Sequence, residues 1–175
     1  MTAATRVALA ACALALTAVA TFAQTAPEPA TTVFLVRHAE KQSEGADPSL
    51  NDAGSKRAKA LADMLADAGI TAIYTTEFHR TQETAAPLAE RLGIKVTVIP
   101  GKDIDGLIAR VRELKPGGRA LIVGHSNTVP AAASRLTGAK AADMADSEFD
   151  RLYVATFGGT GPGELVVLHY GTNAN

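Results

Sequence analysis

Two spacings of apolar residues alternate along the chain. Residues 32–36, Thr-Val-Phe-Leu-Val, are β-branched or apolar at every position. A strand covered on both faces by helices has that composition. Short strand-like runs recur at 70–75 and 120–123, and 95–99 reads as a strand by alternation. Residues 152–157 and 164–170 read as two closing strands around a Gly-Pro-Gly turn. Between the first runs the period lengthens. Ala53, Ala60, Leu61, Met64, Leu65 and Ala68 recur at helical spacing, with Asn51 placed to cap the helix and Gly69 to stop it. Residues 80–91 predict a helix ended by Gly93, with Pro87 expected to kink it or split off its first turn. Asp103 or Asp105 caps a helix running to about Leu114, and a short helix over 129–136 ends at Gly138. Residues 139–148 predict a surface excursion. Strands alternating with helices imply an α/β fold, a three-layer sandwich whose mostly parallel sheet is flanked by helices.

The first thirty residues do not follow this pattern. A start with one positive charge, Arg6, precedes an unbroken apolar run over 7–20, and Thr21-Phe22-Ala23 offers small residues for a cut after Ala23. This is the pattern of a signal peptide over 1–23, followed by a Pro-rich linker over 24–30 and one domain over 31–175. It predicts a periplasmic or secreted protein. An uncleaved membrane anchor is one alternative. Lipidation of Cys12 in Leu9-Ala10-Ala11-Cys12 is the other, although most of the apolar run follows that cysteine. Cleavage after Ala23 removes the only cysteine, which leaves the mature chain without a thiol and touching the membrane only in transit. The net charge of -1 gives no bulk attraction to nucleic acid.

Chemistry concentrates at strand ends. Arg37 and His38 follow the first apolar run, Arg80 opens the second helix, and His125 follows the fourth run. Ligands of open α/β sheets bind at that edge. A lone histidine or arginine at a loop is usually only solvated. Here two side chains that are costly to bury share the mouth of a buried strand, which calls for an anionic partner. A zinc site on His38, His79, His125 and an aspartate is the rival reading. No pair has the short spacing of common metal sites, and two arginines beside the site oppose a cation. No metal or other cofactor is expected.

Arg37-His38-Ala39-Glu40 resembles the Arg-His-Gly signature of the histidine phosphatase superfamily, which includes phosphoglycerate mutase-like enzymes. Tyr74-Thr75-Thr76-Glu77-Phe78-His79-Arg80-Thr81-Gln82-Glu83-Thr84 resembles the family's Ser-x-x-x-Arg-x-x-x-Thr segment, and Gly124-His125-Ser126 its second histidine. Leu50-Asn51-Asp52-Ala53-Gly54 fits the opening of the family's first helix. The match runs in order from Val33 to about Leu136. Ala39 stands where glycine is usual, and Asn51 and Thr76 stand where threonine and serine are more frequent.

The resemblance implies a small phosphorylated substrate and a phosphohistidine on His38. Arg37, Arg80 and His125 would hold the non-bridging oxygens, with Ser126 and Asn127 adding contacts from the start of a helix. The family often supplies the leaving group's proton from an acid after the third strand. Asp103 and Asp105 are the candidates, and helix capping is an equally good account of either. Glu148 and Asp150 are weaker ones. Ser126 occupies the place of the acid in phytase-like members, and the compact chain lacks the insertions usual in mutases. Glu40 and Lys41 flank the nucleophile, either toward the substrate's non-phosphate part or as a solvated pair. Two further readings stand beside an exported phosphomonoesterase. One is a phosphate-binding or sensory module with little turnover, and the other is a phosphohistidine-protein phosphatase.

Overall fold

The computed structural model describes residues 28–159 and 161–171. The expected signal peptide, its cleavage site and Cys12 lie outside the described residues. Six strands and four helices alternate as β1 (Thr31–Arg37), α1 (Asp52–Leu65), β2 (Ala72–Thr75), α2 (His79–Leu92), β3 (Thr97–Val98), α3 (Ile104–Arg112), β4 (Arg119–Gly124), α4 (Thr128–Thr137), β5 (Arg151–Phe157) and β6 (Glu164–His169). They form one sheet in the order β3-β2-β4-β1-β5-β6. The first four strands are parallel, and β5 and β6 are antiparallel.

The two-residue period of the strands divides the core. Val33 and Leu35 of β1 join Ala120 and Ile122 of β4 against α3 and α4, with Ile108, Val111, Val129 and Leu136. Val36 joins Ile73, Leu121 and Val123 against α1 and α2, with Leu61, Leu65, Ala85 and Leu88. The sheet is therefore the middle of three layers, as the sequence predicts. Among the described residues no helix is long and apolar enough to cross a membrane.

Three segments depart from the expectation. β3 is two residues long rather than five. It is an edge strand facing the short β2, with only the pairs Tyr74↔Thr97 and Thr75↔Val98. α2 runs unbroken through Pro87. The ring forfeits one backbone bond, but Ala85, Leu88 and Ala89 around it are buried, and that burial outweighs the loss. The excursion over 139–148 is docked. Ala141 and Met144 enter the core, and Arg151 donates to the carbonyls of Ala142 and Asp143.

Candidate active site

β1 and β4 are neighbours in register, with Arg37 opposite Gly124. The His38 N–H donates to the Gly124 carbonyl at 2.9 Å, which extends the ladder one residue past the strand. The residues after both strands are thereby brought together. The rings of His38 and His125 lie 5.5 Å apart at 66°.

His38 is 3% exposed. Its Nδ1 lies 2.8 Å from the Ala39 carbonyl. A carbonyl only accepts, so Nδ1 carries the hydrogen and Nε2 carries the lone pair. The turn is anchored from α2. The Ala39 N–H donates to Thr84 Oγ1 at 2.9 Å, and the Thr84 hydroxyl donates to the Arg80 carbonyl at 2.7 Å. Burial lowers the His38 pKa to about 4 against the bond to Ala39, with help from the charges of Arg37 and Arg80 and from His125. The ring is neutral at neutral pH, as a nucleophile requires.

Both arginines are partly occupied. Arg37 Nη1 donates to the carbonyls of Ala145, Asp146 and Glu148, at 2.9, 2.8 and 3.4 Å. Its Nη2 lies 3.8 Å from the Asp146 carboxylate, and the guanidinium stacks on Phe149 at 4.4 Å. Arg80 Nη1 donates to Asp47 at 3.4 Å, and its guanidinium stacks on Phe78 at 4.3 Å. The Nε atoms of both arginines are buried without a partner. An unpaired buried donor costs about 1–3 kcal/mol, more when charged. Two such donors beside one neutral imidazole form a site built for an anion.

His125 closes the constellation. Its Nε2 lies 3.1 Å from Thr76 Oγ1, and Phe78 packs edge-on at 5.3 Å. Burial lowers its pKa to about 4, aided by Arg80 and Arg37 and opposed by Glu77.

Residues 33–104 match the model of the histidine phosphatase superfamily, branch 1. The match covers 72 of the chain's 175 residues, and over that stretch the chain resembles that superfamily. A probable phosphoglycerate mutase GpmB of Yersinia enterocolitica is 37% identical over 92 residues, 49% of this chain and 39% of that protein. The chain spans less than half the length of the curated relatives it matches. Two solved structures share the fold. The protein histidine phosphatase SixA complexed with tungstate has a TM-score of 0.64 at 18% identity, over 79% of this chain and 96% of that one. The α-ribazole phosphatase of Shigella flexneri has 0.64 at 19% identity, over the same shares.

Within this histidine phosphatase fold the remaining expected residues divide. Asp103 accepts from the Gly106 N–H at 2.8 Å and caps α3. It also lines a cleft with Thr75, Thr76, Gly101, Gly124 and Thr128. Asp105 pairs instead with Arg135 of α4. Glu148 is tied to Arg151 and Asp150 to His169. Ser126 and Asn127 follow His125 in the turn opening α4, and Asn127 makes no side-chain cap bond. Glu40 takes neither expected role. Its carboxylate lies 2.7–3.0 Å from Arg57 Nη2 and Nε, tying the nucleophile's loop to α1. His79 is on the surface, and among the described residues no group of three or more His, Cys, Asp or Glu side chains could hold a metal.

Sequence reasoning missed Asp47, Thr81 and Phe149 as parts of the site, and gave Thr76 and Thr84 only as positions of the segment around Arg80. The threonines carried a usable signal, since three of them share the stretch that presents Arg80. Asp47 and Phe149 carried none, because both arrive from loops.

Proposed function

We propose that this chain hydrolyses phosphomonoesters through a phosphohistidine on His38. The partnerless Nε atoms of Arg37 and Arg80 beside a neutral imidazole carry the reading. A phosphate dianion supplies acceptors for both donors, and a positioned cluster of fixed donors is what phosphoryl transfer requires. The Nε2 lone pair of His38 attacks phosphorus as the bond to the leaving oxygen breaks. Arg37 and Arg80 hold the non-bridging oxygens, and His125 donates to them once it has taken a proton from the bound phosphoryl group. The leaving oxygen takes a proton, for which Asp103 and Asp105 are the candidates. Water then attacks the phosphohistidine, releasing phosphate and regenerating the lone pair. Export to the periplasm or beyond, through cleavage after Ala23, belongs to the same proposal.

A second reading has its own support. Among the described residues neither site histidine is hydrogen-bonded to a carboxylate. An ester needs its leaving alkoxide protonated, whereas a phosphoramidate leaves as an imidazole, which makes a weaker demand. That favours a phosphohistidine-protein substrate, and the fold likeness to SixA agrees with it.

The deciding experiment is hydrolysis of an aryl phosphate and of a phosphohistidine peptide, with chelator present, beside His38→Ala. Turnover in the parent and none in a folded variant is expected. Turnover surviving in the variant removes His38 as nucleophile. Silence of the parent on both substrates moves the reading to a binding or sensory module.

A further inference from the structure

The segment from β2 into α2 buries three threonines, Thr76, Thr81 and Thr84, at 7%, 0% and 0% exposure. Buried hydroxyls need partners, and two of these have partners arranged in one direction only. Thr81 Oγ1 lies 2.8 Å from the Phe78 carbonyl and 3.1 Å from the Thr76 carbonyl. Carbonyls only accept, so the single hydroxyl hydrogen of Thr81 points to one of them. Thr81 Oγ1 also lies 3.0 Å from Thr76 Oγ1. With its hydrogen spent, Thr81 can only accept there, and the Thr76 hydroxyl must donate. Thr76 Oγ1 is then left with lone pairs to offer His125 Nε2 at 3.1 Å. The ring nitrogen facing it must carry a hydrogen. Reversing the chain would leave Thr81 Oγ1 facing both carbonyls with lone pairs alone.

We infer that the Thr76–Thr81 hydroxyl pair holds His125 in its Nε2–H tautomer, so that Nδ1 is the ring atom that exchanges a proton with a bound phosphoryl group. Among the described residues His125 Nδ1 has no hydrogen-bond partner and is not shut away from solvent. His38 is set the opposite way, with its hydrogen on Nδ1 and its lone pair on Nε2. Two adjacent imidazoles are thus fixed in opposite tautomers by neutral groups. Among the described residues no carboxylate is hydrogen-bonded to either ring as the orienting partner. Thr76 and Thr81 are positioning residues, acting through His125. Their effect on turnover rests on the phosphatase reading, whereas their effect on the tautomer does not.

The test is a long-range proton–nitrogen correlation spectrum of the tag-free, 15N-histidine-labelled chain at pH 7.5, with no ligand. The four histidines are His38, His79, His125 and His169, and single His→Gln variants assign them. His125 is expected to show a lone-pair nitrogen at Nδ1 and an N–H at Nε2. In Thr76→Val the two signals move toward one another as the tautomers mix, and Thr76→Ser keeps the parent pattern. With aryl phosphate, Thr76→Val loses about tenfold or more in kcat with its melting transition retained, while Thr76→Ser stays within about threefold. Should Thr76→Val fail to fold, Thr81→Val takes its place with the same expected spectrum. A parent spectrum with the hydrogen on Nδ1, or with averaged signals, overturns the inference. So does a valine variant matching the parent in both spectrum and turnover. If the chain hydrolyses no phosphate at all, the spectrum still decides the tautomer, which separates failure of this inference from failure of the phosphatase reading.

Discussion

His38 is buried and His125 partly buried, both in their neutral forms, and each therefore links folding to pH. Both have pKa values lowered from 6.5 to about 4. Above pH 6.5 neither folded nor unfolded chain binds these protons, so the two histidines leave stability unchanged. Between 6.5 and 4 the unfolded chain takes them up and the folded chain does not, so stability falls as pH falls. Below 4 both states are protonated and the loss levels off. For His38 alone the loss is of the order of 3 kcal/mol. Urea midpoints measured from pH 7 to 4 should fall over that window, and His38→Gln should flatten the curve. An unchanged slope in the variant would assign the acid sensitivity elsewhere. Gly54 is a further residue whose identity its surroundings fix, among several glycines of that kind. A Cβ there would run into the Glu40 carbonyl oxygen, on the loop that follows His38. Gly54→Ala should lose about 2 kcal/mol or more despite alanine's better helix propensity, which urea titration reads directly.

At the scale of elements, α2 contributes most to the site. Its start presents Arg80, and its buried threonines reach toward both histidines. Asp47, from the loop after β1, accepts from the His79 N–H with both oxygens at 3.1 Å and faces Arg80 with the same carboxylate. It therefore supports the helix end and offsets a cation that phosphate must approach. Asp47→Asn keeps an oxygen for the N–H but removes the charge. Inorganic phosphate should then inhibit several-fold more tightly, with stability changed by less than about 1 kcal/mol. Competitive inhibition constants for the two proteins test this, and weaker inhibition in the variant would contradict it. The elements themselves were largely legible, because their apolar periods differ and Asn51, Gly93 and Gly138 cap where turn chemistry predicts. β3 was overread, since five alternating residues cannot show that their partner strand is only four long. The loop over 139–148 was read as an excursion because nothing in its residues announces that Arg37 will hold three of its carbonyls.

At the scale of the molecule, the sheet brings together residues far apart in the chain. β1 and β4 are central neighbours, so His38 and His125 meet although 87 positions separate their numbers. The alternation of strands and helices made this arrangement readable, and Arg37, His38, Arg80 and His125 were legible from their places at element ends. The group that protonates the leaving oxygen was not. A capping aspartate and a catalytic one look alike in sequence, and Asp103 is a cap that also borders the cleft. The far edge of the sheet has a different character. Val166, Val167 and Leu168 of β6 are 50%, 47% and 41% exposed. Val167→Lys should therefore leave the melting temperature within about 2 °C and raise the concentration at which the chain stays monodisperse, as calorimetry and light scattering would show.

β1 also fixes a direction. It enters the sheet beside Phe157 and delivers His38 seven residues later, about 23 Å away at the strand rise. Glu28, the first residue described, therefore lies toward the end of the sheet opposite the two histidines. An affinity handle, a surface linkage or a natural tether attached there would hold the molecule by its back, with the two histidines pointing outward. Immobilised through that end, the protein should keep the mouth of its histidine site open to solvent.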